Sequence, residues 1–404
     1  MLDMNIIQYV QANSQSFGAL PFGEVDSLVL CQLAYLHMDD YRGVSLPELY
    51  ALCAPIAATA APAHTESCMA LLEALQTSQR FASVRVEEQR TTFDAATSCQ
   101  YSATLFSVGG FCYLACRGTD GTLVGWKENL DLMYKEDTAA QSHALSFLNE
   151  LRGTPIIVGG HSKGGNLALY AAAFCEREVQ DNILAVYDHD GPGFMPTVCE
   201  RDGYRTILPR VHKTVPEMCV FGHILTDDVP YTVIKADTNN IYQHLPFNWQ
   251  CNADGTFVLG RGITVRSQIV RDICNTIVPA MTMDERRVFV STVYESLRSA
   301  DVQRVGDIAS VKTIAKALKY NRNQSKDLRD KMSHCVHLFL SVAWGSSVDV
   351  TEEYIGATLN EWRARRQEKK VRAQAKPLHL PAEDDASTQE ALPPAAADTT
   401  DDTH

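Results

Sequence analysis

A mostly parallel α/β fold is predicted by three observations. From residue 110 onward, short β-branched runs alternate with helical patterns. A two-strand hairpin signal introduces that alternation, and a glycine-framed serine, "VGGHSKGGNLALYAA" at 158–172, stands at one strand-to-helix junction. Alternation of this kind signals parallel strands joined by crossover helices.

The elements follow in order. Residues 22–38, FGEVDSLVLCQLAYLHM, place Val25, Leu28, Val29, Leu33 and Leu36 at helical spacing. Two more helical segments lie near 46–55 and 65–78. RFASVRV (80–86), QYSATLFSV (100–108) and GFCYLACRG (110–118) read as strands, the last two joined at Gly109-Gly110 as a hairpin. A helix near 138–152 precedes the strand TPIIVGG, and a helix from 163 to about 178 precedes the strand NILAVYDHD. YTVIKAD at 231–237 is a further strand, and residues 280–345 read as amphipathic helix. After a basic run between Glu361 and Lys376 the chain is rich in Pro, Ala, Thr and acid, with too few bulky apolar residues to offset ordering entropy. The organisation expected is a helical N-terminal segment packing on the core (1–79), an α/β core (80–260), a helical extension (261–366) and a disordered tail (367–404).

Bulk properties narrow the function classes. A net charge of −13 argues against nucleic-acid binding, which leaves a basic footprint. The start, MLDMNIIQYVQANSQSFGAL, has no positive n-region, and no stretch approaches the roughly 18 to 20 apolar residues of a membrane span. The 12 cysteines are scattered without a CxxC pair, as expected of apolar core residues in a reducing compartment. A cytoplasmic protein without a transmembrane segment is expected. The basic run leaves peripheral membrane contact open, and nothing in the sequence bears on oligomeric state.

Gly160-His161-Ser162-Lys163-Gly164 matches G-x-S-x-G between a β-branched strand and an Ala-rich helix. In that context the serine sits on a strained elbow that lifts its hydroxyl above the sheet edge. A phosphate loop is excluded by spacing, because Lys163 is followed by glycine rather than Ser or Thr. A nucleophilic Ser162 needs a base and an orienting acid, in the chain order Ser, Asp or Glu, His. His244 follows the last confident strand within "NNIYQHLPFNW" and is the expected base. His212 and His223 fall in a segment that reads as a cap or crossover, and His189 comes too early in the order. Asp190 is the expected acid: it ends the strand after the elbow helix, and Gly191-Pro192-Gly193-Phe194 then turns the chain away. Asp237, seven residues before His244, is the alternative. The backbone amides of Lys163 and of Thr119, in the strand-end run Arg117-Gly118-Thr119-Asp120, are the candidate oxyanion hole.

"CRGTDGTLVGWKENL", "GGHSKGGNLALYAA", "DHDGPGF" and "QHLPFNW" together resemble a bacterial lipase-like α/β-hydrolase family, distantly similar to the class 3 lipases. Those lipases share an RGT or RGS oxyanion strand and a GHSxGG elbow. The likeness spans roughly residues 20–250 and implies an α/β-hydrolase fold. Class 3 lipases usually carry an apolar residue where Lys163 stands, and Lys163 is expected to point to solvent along its helix. The function expected is a lipase- or esterase-like serine hydrolase. It would cleave a small-molecule or lipid-like carboxylic ester or thioester through an acyl-enzyme, with no metal or organic cofactor. A peptidase or amidase with the same triad, or a non-catalytic binding protein on a hydrolase scaffold, remain the alternatives.

Overall fold

Seven strands form one sheet in the order β1-β2-β3-β4-β5-β6-β7. The computed structural model describes residues 4–53, 62–120, 122–225, 228–239, 241–300, 325–326 and 328–329. All of them fall within one unit, Met1–Val350. The expected tail, the basic run and most of the expected helical extension lie outside the described residues.

Four helices precede the sheet: α1 (Ile6–Ala12), α2 (Glu24–Leu33), α3 (Leu46–Cys53) and α4 (Pro62–Leu75). The first is closed by a reciprocal cap in which Asn5 Oδ1 accepts from the Gln8 amide and Gln8 Oε1 from the Asn5 amide. Every residue of α2 from Val25 to Leu33 is buried. A buried ion pair fixes this layer. Arg80 grips Asp26 with Nε at 2.7 Å and Nη2 at 2.6 Å, and gives its remaining donors to the carbonyls of Gln15, Leu20 and Pro21. Tyr9 and the Gly23 amide complete the carboxylate's partners at 2.9 Å each.

Strands β1 (Arg85–Asp94), β2 (Cys99–Val108) and β3 (Phe111–Cys116) are antiparallel. The expected strand at 80–86 is therefore displaced: Arg80 is drawn into the helical layer, and strand geometry begins only at Arg85. After β3 come α5 (Leu123–Asp131) and α6 (Ala139–Asn149), then β4 (Ile156–His161), α7 (Lys163–Phe174), α8 (Arg177–Asp181) and β5 (Ile183–His189). The chain continues through α9 (Pro196–Cys199), α10 (Asp202–Ile207), β6 (Val211–Pro216) and β7 (Tyr231–Ile234). From β3 to β7 all pairings are parallel. The segment expected to be cap or crossover around His212 is thus strand β6. Its pattern is disguised by Lys213, whose charge is buried against Asp188 at 3.0 Å. The helix α5 was not anticipated either.

The pleat sorts side chains between two cores. Tyr113, Ala115, Ile157 and Tyr187 pack with α1–α4, whereas Leu114, Cys116, Val158 and Val186 pack with α6 and α7. This is an α/β-hydrolase-like sheet covered on both faces. Two further helices, α11 (Val265–Ala280) and α12 (Met283–Ser299), lie beyond it. Tyr294, Leu297 and Ala300 pack on Leu123 of α5.

Removing one partner of a buried pair leaves an uncompensated charge, so Arg80→Met should cost about 3–5 kcal/mol. Arg80→Lys should also destabilise clearly, because one ammonium cannot replace the five-donor fork. Urea unfolding of the three proteins measures both effects.

Candidate active site

Ser162 joins β4 to α7 at φ +58° and ψ −131°, a conformation that costs an L-residue on the order of 1–3 kcal/mol. The turn is possible because two glycines let backbones meet. A Cβ on Gly160 would lie 2.1 Å from the Gly164 carbonyl carbon, and one on Gly164 would lie 2.0 Å from the Cys116 carbonyl oxygen at the end of β3. The elbow is therefore wedged against β3, and the loop after β3 passes directly beside the serine. A Cβ on Gly118 would lie 3.2 Å from Ser162 Cβ.

The hydroxyl of Ser162 stands 2.9 Å from His244 Nε2, and His244 Nδ1 stands 2.6 Å from Asp190 Oδ2. Asp190 is fully buried at the end of β5, at φ +56°. Its second oxygen accepts from the Gly222 amide at 3.1 Å and from Cys219 Sγ at 2.9 Å. With Nδ1–H donating to the carboxylate, His244 presents its Nε2 lone pair to the serine hydroxyl. The ring lies between His161, with centroids 4.7 Å apart, and Phe221, at 4.1 Å. His161 also donates from Nε2 to the His244 carbonyl at 2.9 Å, which ties down the main chain that carries the imidazole.

Asp237, the alternative acid, is exposed and accepts from Gln250 at 2.7 Å. His212 is exposed on β6 and stacks on Tyr187. His223 packs on Tyr231, and His189 is buried beneath α2, 2.9 Å from Ser27 Oγ. Thr119 accepts from Asn129 through Oγ1 at 2.9 Å, and Asp120 accepts from the Thr122 amide at 3.0 Å, so the loop beside Ser162 is held at two points. Lys163 opens α7, where first-turn amides lack an intrahelical acceptor.

The side chain of Lys163 does not reach solvent. It is 1% exposed, and its Nζ donates to Glu128 Oε2 at 2.6 Å and to Gln100 Oε1 at 3.1 Å. Helix α7 is buried from Lys163 to Ala173, so it offers no solvent face to follow. Burial lowers the Lys163 pKa, with Glu128 opposing. Around the acid, Asn166 donates to the carbonyls of Pro192 and Gly193, and Asp188 accepts from the Gly191 amide at 2.8 Å. Lys213 donates to the Gly191 carbonyl, also at 2.8 Å. The glycine-proline turn that aims Asp190 is thereby fixed on three sides. These supporting residues escaped the sequence reading, because a buried Lys or Asn looks the same as a surface one until its partner is placed. Among the described residues no cluster of three or more His, Cys, Asp or Glu is disposed to hold a metal ion.

The Mbeg1-like family matches residues 75–295. Solved structures similar to the chain include a Rhizomucor miehei lipase–propeptide complex, at 14% identity and TM-score 0.31 over 52% of this chain and 67% of that one. M37 lipase is 16% identical, with a TM-score of 0.34 over 50% and 70% of the two chains. Lipase II from Rhizopus niveus is 13% identical, with a TM-score of 0.31 over 64% and 90%. No curated protein matches the chain.

Three histidines near the site resist protonation. Burial, then the neighbouring His244 charge, pushes His64 down to about 4 and His161 well below its usual value, and burial brings His189 to about 3. Their folded pKa values lie below the unfolded value of about 6.5, so below that pH the unfolded chain takes up protons that the folded chain refuses. Stability should be intact above pH 6.5 and fall steeply between pH 6.5 and about 4. Melting temperatures across that range check the slope, which His189→Gln should make shallower.

Proposed function

The chain belongs to the Mbeg1-like family, which is lipase-like, and on the geometry at Ser162 we propose a serine hydrolase that cleaves a carboxylic ester or thioester. The observation that carries this reading is the unbroken hydrogen-bond chain from the Ser162 hydroxyl through His244 to the buried Asp190 carboxylate. Ser162 Oγ attacks the acyl carbon while His244 Nε2 takes its proton, and the imidazolium formed is stabilised by Asp190. The amides of Thr119 and Lys163 receive the oxyanion of the tetrahedral intermediate. His244 then returns the proton to the departing alcohol or thiol, and the acyl-enzyme remains on Ser162. A water activated by the same His244 releases the acid.

The reading extends to compartment and partners. The described cysteines are all unbridged, which supports a reducing compartment such as the cytoplasm. No described helix is long and apolar enough to cross a membrane. The substrate is a small ester or lipid-like molecule.

A fluorophosphonate probe should label Ser162 and leave Ser162→Ala unlabelled, with kcat in the variant reduced at least ~10³-fold. Asp190→Asn should lower kcat ~10⁴-fold at an unchanged melting temperature, while Asp237→Asn stays near the wild-type rate. Equal labelling of Ser162→Ala, or a dead Asp237→Asn beside an active Asp190→Asn, would refute these assignments. 4-Nitrophenyl esters of increasing chain length, run beside a thioester and an anilide, separate esterase from amidase action.

A further inference from the structure

At the carboxyl ends of β3, β4 and β5, the pleat directs Arg117, His161 and His189 toward the α1–α4 face, in line with Ala115, Ile157 and Tyr187 below them. His161 has partners on both ring nitrogens, Nε2 on the His244 carbonyl and Nδ1 3.5 Å from Tyr35 Oη. His189 meets Ser27 through Nε2 and has no partner on its buried Nδ1. The Arg117 Nε is likewise buried without a partner, and no described carboxylate forms an ion pair with its guanidinium. Burial lowers its pKa, and Asp120 and Asp39 act on it only as neighbouring charges.

A further unpartnered nitrogen lies on the same side, besides His189 Nδ1. His64, near the start of α4, has its ring 4.3 Å from that of Tyr35 and 5.7 Å from that of Phe247, and its Nε2 is buried with no partner. Tyr35 also lies close to Ser162: a Cβ on Gly118 would lie 2.3 Å from Tyr35 Oη and 3.2 Å from Ser162 Cβ. Arg117 is the residue just before Gly118. Arg117 is half-buried with its Nε sealed from solvent, and its planar fork of donors matches an oxyanion group closely. The chain carries a net charge of −13, so an anion finds no general attraction and must be held by local donors.

We infer that Arg117 and His64, on the Tyr35 side of Ser162, form a subsite for an anionic group on the substrate, a carboxylate or a phosphate, with Arg117 as main donor and His64 as the second. The inference deepens the hydrolase reading and rests on it for the word substrate, but the binding itself is testable apart from turnover. Arg117 pairs its fork with the anion, and the ester carbonyl is thereby placed toward Ser162 across Gly118.

The test uses the full chain carrying Ser162→Ala, with binding read by calorimetry. Three probes are compared: 4-nitrophenyl hydrogen glutarate, its neutral methyl ester, and a 4-nitrophenyl ester of similar length ending in a phosphonate. At least one anionic probe should bind ~10- to 100-fold tighter than the neutral one, as expected for a charge-assisted bidentate contact. The tighter of the two identifies carboxylate or phosphate as the natural group. Adding Arg117→Gln should abolish the preference, and Arg117→Lys, which keeps the charge without the fork, should retain part of it. Equal binding of all three probes by the Ser162→Ala protein overturns the subsite even if the arginine variants do not fold. So does a preference that survives Arg117→Gln. Ester turnover by the unmutated chain is read separately: a binding preference without turnover would refute the hydrolase reading and leave the anionic subsite standing.

Discussion

To hold Ser162 at φ +58°, the end of β4, the first turn of α7 and the end of β3 must approach to backbone contact, and every side chain that would intrude is missing. Gly160 and Gly164 make the approach possible, and its consequences spread outward. Because Gly164 touches the Cys116 carbonyl, the loop after β3 is carried to the serine, and Thr119 comes with it. The elbow also brings the Ser162 amide onto the His189 carbonyl at 2.9 Å, which sets the height of β5 and therefore of Asp190. One tight turn thus fixes the relative positions of Ser162, Asp190 and the loop carrying Thr119 before any of their side chains interact.

Charges buried behind that turn keep it from relaxing. Lys163 and Glu128 join the start of α7 to α5, and Glu128 also accepts from the Gln100 amide of β2 and the Ala140 amide of α6. Asp188 and Lys213 join β5 to β6 and hold Gly191 from both sides. Buried pairs of this kind add little net stability, because desolvation consumes most of the Coulomb gain. Their effect is on alternatives: a shifted register would strand a charge in the core, which costs several kcal/mol. The same logic applies within the helical layer, where Arg80 ties Asp26 of α2 to the carbonyls of Gln15, Leu20 and Pro21.

What the sequence made legible follows from which interactions are local. The elbow was readable because G-x-S-x-G, a β-branched strand and an Ala-rich helix lie within one short stretch. Chain order and the Gly-Pro-Gly turn, again local signals, single out His244 and Asp190 as candidates, and the two side chains lie 2.6 Å apart. Strand β6 was not readable, since VHKTVP places a lysine at its centre and a proline at its end, and only Asp188, 25 positions earlier, explains why that charge is tolerated inside. Lys163 misled for the same reason: its partner Glu128 lies 35 residues away, so an exposed lysine was the simpler expectation. Arg80 sat beside an apolar run that looked like a strand, while its true partner lies 54 residues earlier, in α2.

His244 occupies a position that both sheet faces help define, and this links acid sensitivity to the proposed role of its imidazole. The His244 ring lies between Phe221 and His161, and the His244 carbonyl receives the His161 Nε2 proton. A neutral His161 makes that contact without adding charge. A protonated one would repel the imidazolium that the proposed mechanism forms on His244, at a ring separation of 4.7 Å. Complete burial is what keeps His161 neutral. The α2–α4 layer therefore does more than cover a sheet face: by excluding water from the ends of β4 and β5, it holds the neighbour of His244 uncharged. The cost of that exclusion is a fold that protons destabilise, since each buried histidine refuses a proton the unfolded chain would take.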